Sequence, residues 1–267
     1  MADEPGAPTL TVAVADGVAV VELCRPELRN RIDEQLDDDL AQALEQLRQD
    51  PEVRAVVLGS TGKVFSAGGD TARMLGHPKA DPLEWMRGVD RGRRLFRQCC
   101  DFPKPLVAAV QGDVYGLGTS IVLTADAIVS APGVRFADPH VHMGLVAGDG
   151  GVVAWPSNMA HVLAKRHLLW GTPILAEDAH RIGMVTDLVP TRDEVRPRAL
   201  EIAAQVAALP PVAVQLTKRA LNQVQAARIQ EAFDLGFYLE AMTLGTEDMV
   251  EAVTAFLEKR TPTFKGR

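Results

Sequence analysis

The chain has 267 residues, 47% of them hydrophobic and 24% charged, and this balance predicts a globular protein with a sizeable buried core. Its net charge of -7, without any Lys- or Arg-rich run, argues against a nucleic-acid-binding protein. No apolar stretch is long enough to predict a membrane span, and the acidic start of the chain lacks the pattern of a signal peptide.

The first sixty residues predict a hairpin, a helix and a strand. Two β-rich runs, Thr9–Ala15 and Val18–Cys24, flank an Asp-Gly pair that is typical of a hairpin turn. Apolar residues recur at helical spacing over Ile32–Leu47, and the acidic run Asp37–Asp39 within this helix is expected to face solvent. The β-branched run Val53–Leu58 predicts a buried strand.

Two glycine-rich turns follow predicted strands in the next part of the chain. The first is Phe65–Asp70, and a helical stretch from about Pro82 to Cys100 comes after it. The second, Gly112–Gly118, follows a predicted strand over Leu106–Val110. Further strands are predicted over Ala127–Ser130, Val134–Phe136 and Met184–Val189, and a glycine-rich loop over Gly144–Gly151.

The remainder of the chain, from Ala176 onward, is mostly helical in pattern. Its last helix aligns four apolar side chains on one stripe, namely Met249, Val253, Phe256 and Leu257. Alternating strands and helices followed by helices alone predict an α/β core over residues 1–200 and a C-terminal helical region over 201–267.

The three cysteines, Cys24, Cys99 and Cys100, have neither the even count of a disulfide framework nor a metal-binding spacing. They predict reduced thiols, which are typical of a cytoplasmic protein.

Both glycine turns have the order of strand, glycine cluster and helix start. The first N–H groups of a helix have no partner within the helix and lie at the positive end of its dipole. Glycine lets such groups approach a ligand closely, so two of them, one from each turn, would stabilise a carbonyl oxygen that gains negative charge. For either turn alone, a simple tight connection remains the alternative.

An ordered series of segments extends these observations to nearly the whole chain. The segments are Arg25-Pro26 with Asn30, VVLGSTGKVFSAGGD, KPLVAAVQG followed by GLGTS, FADPHVHMGL, the GDGG loop, AEDAHRIGMVTDLVP and the terminal FLEKRTPTFK. This series resembles the enoyl-CoA hydratase/isomerase (crotonase) superfamily. The resemblance implies an α/β spiral of ββα units, with a C-terminal helical region that packs in trimers or hexamers.

The resemblance also implies which residues form the site. The two oxyanion donors fall on the N–H groups of Gly69 and Leu117, and the substrate would contact their neighbours Ala67, Gly68 and Gly116. Lys259 would lie near a phosphate of coenzyme A. Coenzyme A enters only as part of an acyl-CoA substrate, and no further cofactor is implied.

The chain departs from the family where its hydratases have two glutamates. Ser120 occupies the first position and His140 the second. A serine hydroxyl needs a neighbouring base to act in proton transfer, so Ser120 is either a substrate hydrogen bonder or a space-filling residue. His140 can take or give a proton near neutral pH. Asp149, in the GDGG loop, would orient His140 or transfer a proton itself, or would only shape the turn.

The spacing of His140 and Asp149 resembles that of crotonase-type β-diketone hydrolases, which cleave a C–C bond by water attack on a ketone. Those enzymes have a further histidine near the position of Ser120, for which His142 or His77 are candidates. Asp138 alternates with His140 and His142, so on a strand the three would share one face, as metal ligands can. No other ligand motif supports a metal, and none is predicted.

Three functions stay open at this point. The first is an acyl-CoA enzyme in which His140 and Asp149 replace the glutamates. The second is a hydrolase of β-dicarbonyl compounds that does not need coenzyme A. The third is a homologue that binds coenzyme A without catalysis.

Overall fold

Ten strands and a larger set of helices form the part of the chain described by the computed structural model, which comprises residues 8–76, 91 and 93–267. In chain order the strands are β1 (Leu10–Ala15), β2 (Val18–Leu23), β3 (Ala55–Ser60), β4 (Val64–Ser66), β5 (Leu106–Val110), β6 (Asp113–Tyr115), β7 (Ala127–Ser130), β8 (Arg135–Ala137), β9 (Ile174–Leu175) and β10 (Asp187–Leu188). The helices are α1 (Glu34–Gln49), α2 (Thr71–Met74), α3 (93–100), α4 (Leu117–Val122), α5 (Gly151–Asn158), α6 (His161–Trp170), α7 (Ala176–Arg181), α8 (Val195–Ala207), α9 (Pro211–Arg228), α10 (Asp234–Thr243) and α11 (Glu247–Glu258).

The larger sheet has six strands in the order β1-β2-β3-β5-β7-β10. Its first pair is the predicted hairpin, and the remaining pairs are parallel. The central strands β3 and β5 are buried along their whole length, which explains their continuous runs of Ala, Val and Leu. The predicted α/β fold class is therefore observed.

Helices cover both faces of this sheet. On one face, α8 presents Val195, Ala199, Ala203 and Ala207, and these small side chains let the helix pack closely on β3 and β5. On the other face, Leu36, Leu40 and Leu44 of α1 enter the main core together with Phe96 and Trp155. Asp33 caps the start of α1, since its side chain accepts the N–H of Leu36.

One surface prediction, made for α1, is wrong. Asp37, expected in solvent, is only 6% exposed because α3 packs over this side of α1, and burial raises its pKa to about 6. In α11, Met249 and Val253 are buried but Phe256 and Leu257 are 61% and 50% exposed, so the apolar stripe is only half covered by its own chain. The predicted helix from Pro82 to Cys100 is observed over 93–100, and most of its first half lies outside the described residues.

The boundary predicted at residue 200 falls inside α8, which packs on the sheet, and the division of the chain there stays a prediction. The helices after α8 are attached to the core by Lys218 of α9. Its buried ammonium group donates to the carbonyl of Lys104 at 2.8 Å and to Asp126 at 2.6 Å.

All three cysteines are free thiols. Within the described residues, no single helix is long and apolar enough to cross a membrane. Taken together, the two helical stretches Arg192–Ala207 and Pro211–Thr243 have the length and composition of a membrane span, but they are bent by 108° relative to each other.

The smaller sheet, in the order β4-β6-β8-β9, determines where the candidate site lies. Strands β4, β6 and β8 are parallel, so their carboxyl ends meet at one edge. The residues that follow these three ends are the first glycine turn, the second glycine turn and the Asp138-Pro139-His140 segment. The crevice at the carboxyl ends of parallel strands is the usual place for a ligand in such sheets.

Candidate active site

The two glycine turns touch each other at this edge. Gly68 has φ +82°, and a Cβ atom added there would lie 2.8 Å from the carbonyl oxygen of Tyr115. Gly116 has φ +50°, and a Cβ atom there would lie 3.9 Å from the Cα of Gly68. Both positions have a backbone conformation that favours glycine. At Gly68 a side chain would also push the two turns apart, because its Cβ atom would be too close to the Tyr115 carbonyl.

The peptide group between Gly68 and Gly69 has a fixed orientation. The N–H of Ile32 donates to the carbonyl oxygen of Gly68 at 2.8 Å. A trans peptide is planar, with its C=O and N–H pointing in opposite directions, so the N–H of Gly69 points away from Ile32. No residue in the described part of the chain accepts a hydrogen bond from it.

The second turn directs an amide in the same way. Gly116 donates its N–H to the carbonyl of Ala137 at 2.9 Å, and its own carbonyl accepts the N–H of Ser120 at 3.0 Å. Leu117 is the first residue of α4, so its N–H points out of the helix N-terminus. This N–H likewise has no acceptor among the residues described. The structure therefore brings the turns carrying Gly69 and Leu117 together, each with an unused amide.

His140 lies beside the second turn and is enclosed by carboxyl groups. The strand β8 ends at Ala137, and the chain then enters a short 3-10 turn over His140–Met143. The imidazole is buried, and its Nδ1 contacts a carboxylate oxygen of Asp138. Its Nε2 lies 3.2 Å from Asp149 Oδ2 and 3.8 Å from Glu240 Oε1. A Cβ atom on Gly116 would be 3.5 Å from the imidazole Cε1, so the ring is adjacent to the Leu117 turn.

The charges in this cluster determine its protonation. Burial would lower the pKa of His140, but the carboxylates of Asp149 and Asp138 outweigh it and raise that pKa well above the usual value. Burial, reinforced by the charge of Asp149, raises the pKa of Glu240 to about 8. At neutral pH, His140 is therefore an imidazolium with both nitrogens engaged, and Glu240 is a neutral carboxylic acid.

The stability of the protein is expected to fall as pH rises because of these two groups. A group whose pKa is higher in the folded state binds more protons there, so the free energy of unfolding decreases with pH. For Glu240 this window runs from its ordinary pKa of about 4.5 to about 8, and for His140 it begins near pH 6.5. The slope for one proton is at most about 1.4 kcal/mol per pH unit. Thermal unfolding of a Glu240→Gln variant should therefore depend less steeply on pH between 5 and 8 than wild type.

The exposed Glu52 provides the matched control for that measurement, since Glu52→Gln removes a carboxylate from the surface. This variant should follow the wild-type pH profile. If Glu240→Gln and Glu52→Gln gave the same pH profile of melting temperature, Glu240 would not hold a proton in the folded protein.

The ligand atoms of Asp138, His140 and Asp149 lie within 4.8 Å of one another, a spacing that could also hold a metal ion. Their mutual contacts account for the arrangement without an ion, because each imidazole nitrogen has a carboxylate partner. His142 does not join them, contrary to the shared face considered from the sequence. Since β8 ends before Asp138, the chain turns, and His142 Nε2 contacts the carbonyl of Trp170 at 2.9 Å.

Comparison with known proteins identifies the family. A sequence model of the enoyl-CoA hydratase/isomerase family matches residues 13–267. The chain belongs to the enoyl-CoA hydratase/isomerase family. It is 33% identical to the 2,3-dehydroadipyl-CoA hydratase of Escherichia coli K12 over 97% of this chain and 99% of that protein. It is 29% identical to the 1,2-epoxyphenylacetyl-CoA isomerase of the same organism, over 95% of this chain and 97% of that one.

The fold agrees with that assignment. An enoyl-CoA hydratase/isomerase from Mycobacterium paratuberculosis superposes with a TM-score of 0.86 at 33% identity, covering 92% of this chain and 98% of that one. The crotonase resemblance and the crotonase-like α/β fold are thus confirmed, and the chain is an enzyme of the hydratase/isomerase kind.

Several residues predicted from the family pattern lie in this candidate site, and others do not join it. Ser120 is buried in α4, and its hydroxyl donates to Asp149 Oδ1 at 3.4 Å. Gly68 and Gly116 directly precede the residues with the two unused amides, and Ala67 precedes Gly68. Lys259 is an exposed residue at the C-terminal end of α11, and its contact with coenzyme A stays a prediction. His77 lies outside the described residues.

Glu240 is the member of this site that the sequence did not reveal. It lies on α10, far along the chain, and the GDGG loop meets that helix where Gly148 packs against Gly236. Its side chain is 13% exposed, and Oε2 is buried with no partner among the described residues. Asp138 was considered only as a metal ligand, whereas the structure pairs it with His140. No motif surrounds Glu240, so only the tertiary fold identifies it.

Proposed function

We propose that this protein is an acyl-CoA-processing enzyme that stabilises a thioester enolate with the amides of Gly69 and Leu117. The observation that carries the proposal is the meeting of two unused backbone amides with the His140 cluster at one sheet edge. The curated relatives named above are a hydratase and an isomerase of CoA thioesters, which supports a CoA thioester as the substrate class. Coenzyme A is part of that substrate, and no other cofactor is proposed.

Proton transfer is assigned to the carboxyl groups around His140. The imidazolium, engaged at Nδ1 by Asp138 and at Nε2 by Asp149, acts as a fixed positive charge that orients Asp149. Asp149 acts as the base toward substrate or water, and Ser120 supports its other oxygen. The protonated Glu240 then donates a proton to the carbon or the oxygen of the enolate, and this converts the enolate into a neutral product. Together Asp149, His140 and Glu240 replace the two glutamates of the family's hydratases.

Hydrolysis of a β-diketone is the second candidate. Ser120 leaves the first glutamate position without a carboxylate, so a pair of glutamates around one water is absent from this site. The Asp149–His140 pair could instead activate a water for attack on a ketone, and the same two amides would stabilise the enolate that departs. This reaction needs no coenzyme A.

Product analysis with a substrate panel separates these functions. Wild type is mixed with enoyl-CoA, β-ketoacyl-CoA and cyclic β-diketone compounds, and products are identified by mass spectrometry. Turnover of a CoA thioester supports the proposal, and turnover of a diketone alone supports the second candidate. Binding of acyl-CoA without any turnover would contradict both and leave a non-catalytic CoA-binding protein.

We also propose that the enzyme is a trimer or a dimer of trimers. Large apolar side chains are more than half exposed on the C-terminal helices: Val212, Leu216, Leu221, Val224, Leu235, Met242 and Phe256. A monomeric protein rarely leaves so many exposed. Light scattering that gave the mass of one chain would contradict this assembly.

A further inference from the structure

The backbone of residues 29–32 contacts the first glycine turn, which lies much further along the chain, at three consecutive residues of that turn. Within residues 29–32, the carbonyl of Arg29 accepts the N–H of Ala67 at 2.9 Å. The carbonyl of Asn30 accepts the hydroxyl of Ser66 at 2.8 Å. The N–H of Ile32 donates to the carbonyl of Gly68 at 2.8 Å. Three successive residues of the turn are therefore bonded to this segment, which we call the 29–32 segment.

The 29–32 segment has a backbone conformation that must be maintained by contacts. Arg29 and Asn30 have φ values of 53° and 49°, in the left-handed region that side-chain-bearing residues avoid. Two such residues in succession persist only where the surroundings determine them, and such conformations cluster at functional sites. Asparagine tolerates the region better than most residues.

The Asn30 side chain supplies those contacts. It is fully buried, and its Oδ1 accepts the N–H of Arg25 at 2.9 Å. Its Nδ2 donates to the carbonyls of Thr61 at 2.8 Å and Val64 at 3.2 Å. Every one of these partners is backbone. Asn30 therefore ties the 29–32 segment to both ends of the connection between β3 and β4, which leads into the first glycine turn.

Ser66 connects the 29–32 segment to the backbone next to the Gly69 amide. Its hydroxyl donates to the Asn30 carbonyl and accepts the N–H of Gly68 at 3.2 Å. The Gly68 amide is thereby satisfied inside the protein, so the next amide, that of Gly69, is the one left free. A Cβ atom on Gly118 would lie 2.8 Å from the same hydroxyl, so Ser66 also contacts the second turn.

We propose that Asn30 and Ser66 are positioning residues that aim the Gly69 amide at the substrate oxygen. This inference rests on the proposed function and deepens it. Neither side chain contacts the substrate oxygen; both act by fixing the peptide planes on each side of Gly68. A small rotation of the peptide plane between Gly68 and Gly69 would turn the Gly69 N–H away from the substrate oxygen. Catalysis is sensitive to small misplacements of this kind.

Acetoacetyl-CoA provides a direct probe, because its enolate absorbs in the near ultraviolet and an oxyanion hole increases the enolate fraction. Wild type, Ser66→Ala and Ser130→Ala are titrated with it, and total binding is followed in parallel by calorimetry. Ser130 is the matched control, a fully buried serine whose hydroxyl donates to the Val110 carbonyl, away from the site. Ser66→Ala should lower the enolate fraction about 10-fold with a smaller change in total binding, since the donor is misdirected and not removed. Ser130→Ala should match wild type.

The Asn30→Asp variant tests the second positioning residue. It keeps the acceptor for Arg25 and the shape of the side chain, but it loses the donors to Thr61 and Val64. It should show the same loss of enolate signal as Ser66→Ala. An enolate band that is equal in wild type, Ser66→Ala and Asn30→Asp would overturn the positioning role alone. The lack of any band with wild type would overturn the proposed function, and the positioning role with it.

Discussion

Asp149→Asn is expected to lower turnover by about 100- to 10,000-fold, the range for loss of a positioned acid or base. The substitution keeps the size of the side chain and its contact with Ser120, but it removes the negative charge that faces His140 Nε2 at 3.2 Å. It thus removes both the proposed base and one of the two charges that stabilise the imidazolium. The measurement is kcat with the CoA thioester that the substrate panel identifies.

Ser120→Ala is the companion variant, because Ser120 contacts the same carboxylate from the opposite side. Its hydroxyl only supports Asp149 through a long hydrogen bond of 3.4 Å, so its removal should lower kcat by no more than about 10-fold, the scale of one weak hydrogen bond. If Asp149→Asn retained kcat within threefold of wild type, the proton would be carried elsewhere. Glu240, at 3.8 Å from the same imidazole nitrogen, would then be the remaining carboxyl group in contact with it.

The contrast between the two sides of His140 shows what the sequence can and cannot provide. Asp149 was predictable because the GDGG loop follows His140 closely, and a glycine-rich loop of this kind can be recognised from its composition. Glu240 was not, because its position depends on how α10 packs against that loop through Gly148 and Gly236. Helical periodicity gives the face of a helix but not its neighbour in space.

The shared face considered for Asp138, His140 and His142 is not observed, and the reason is different. The alternation of Asp138, His140 and His142 predicts one shared face only if the strand continues through them. It ends at Ala137, and the following 3-10 turn directs His142 to the Trp170 carbonyl. Ends of strands depend on tertiary contacts, which local patterns record poorly, whereas buried strands such as Leu106–Val110 were predicted with their observed bounds.

Asp37 illustrates the same limit for charge patterns. Three consecutive acidic residues on an amphipathic helix indicate a solvated face, and Asp38 is indeed half exposed. Each residue of an α-helix is rotated by about 100° from the one before it, so adjacent residues face different neighbours. Helix α3 contacts both Asp37 and Asp38 but buries only Asp37, and this burial could not be inferred without knowing the position of α3.

Leu117→Pro is expected to lower kcat by about 100- to 1000-fold, because it deletes one oxyanion donor and leaves the other in place. Leu117 is the first residue of α4, a position at which proline is favoured, since its missing N–H has no partner within the helix. The matched control is Leu117→Ala, which removes the same apolar side chain and keeps the amide. Leu117→Ala should retain most of the wild-type kcat and the acetoacetyl-CoA enolate band, whereas Leu117→Pro should lose both. Equal kcat values for the proline and alanine variants would mean that this amide does not contact the charged oxygen, and the enolate mechanism would have to be abandoned.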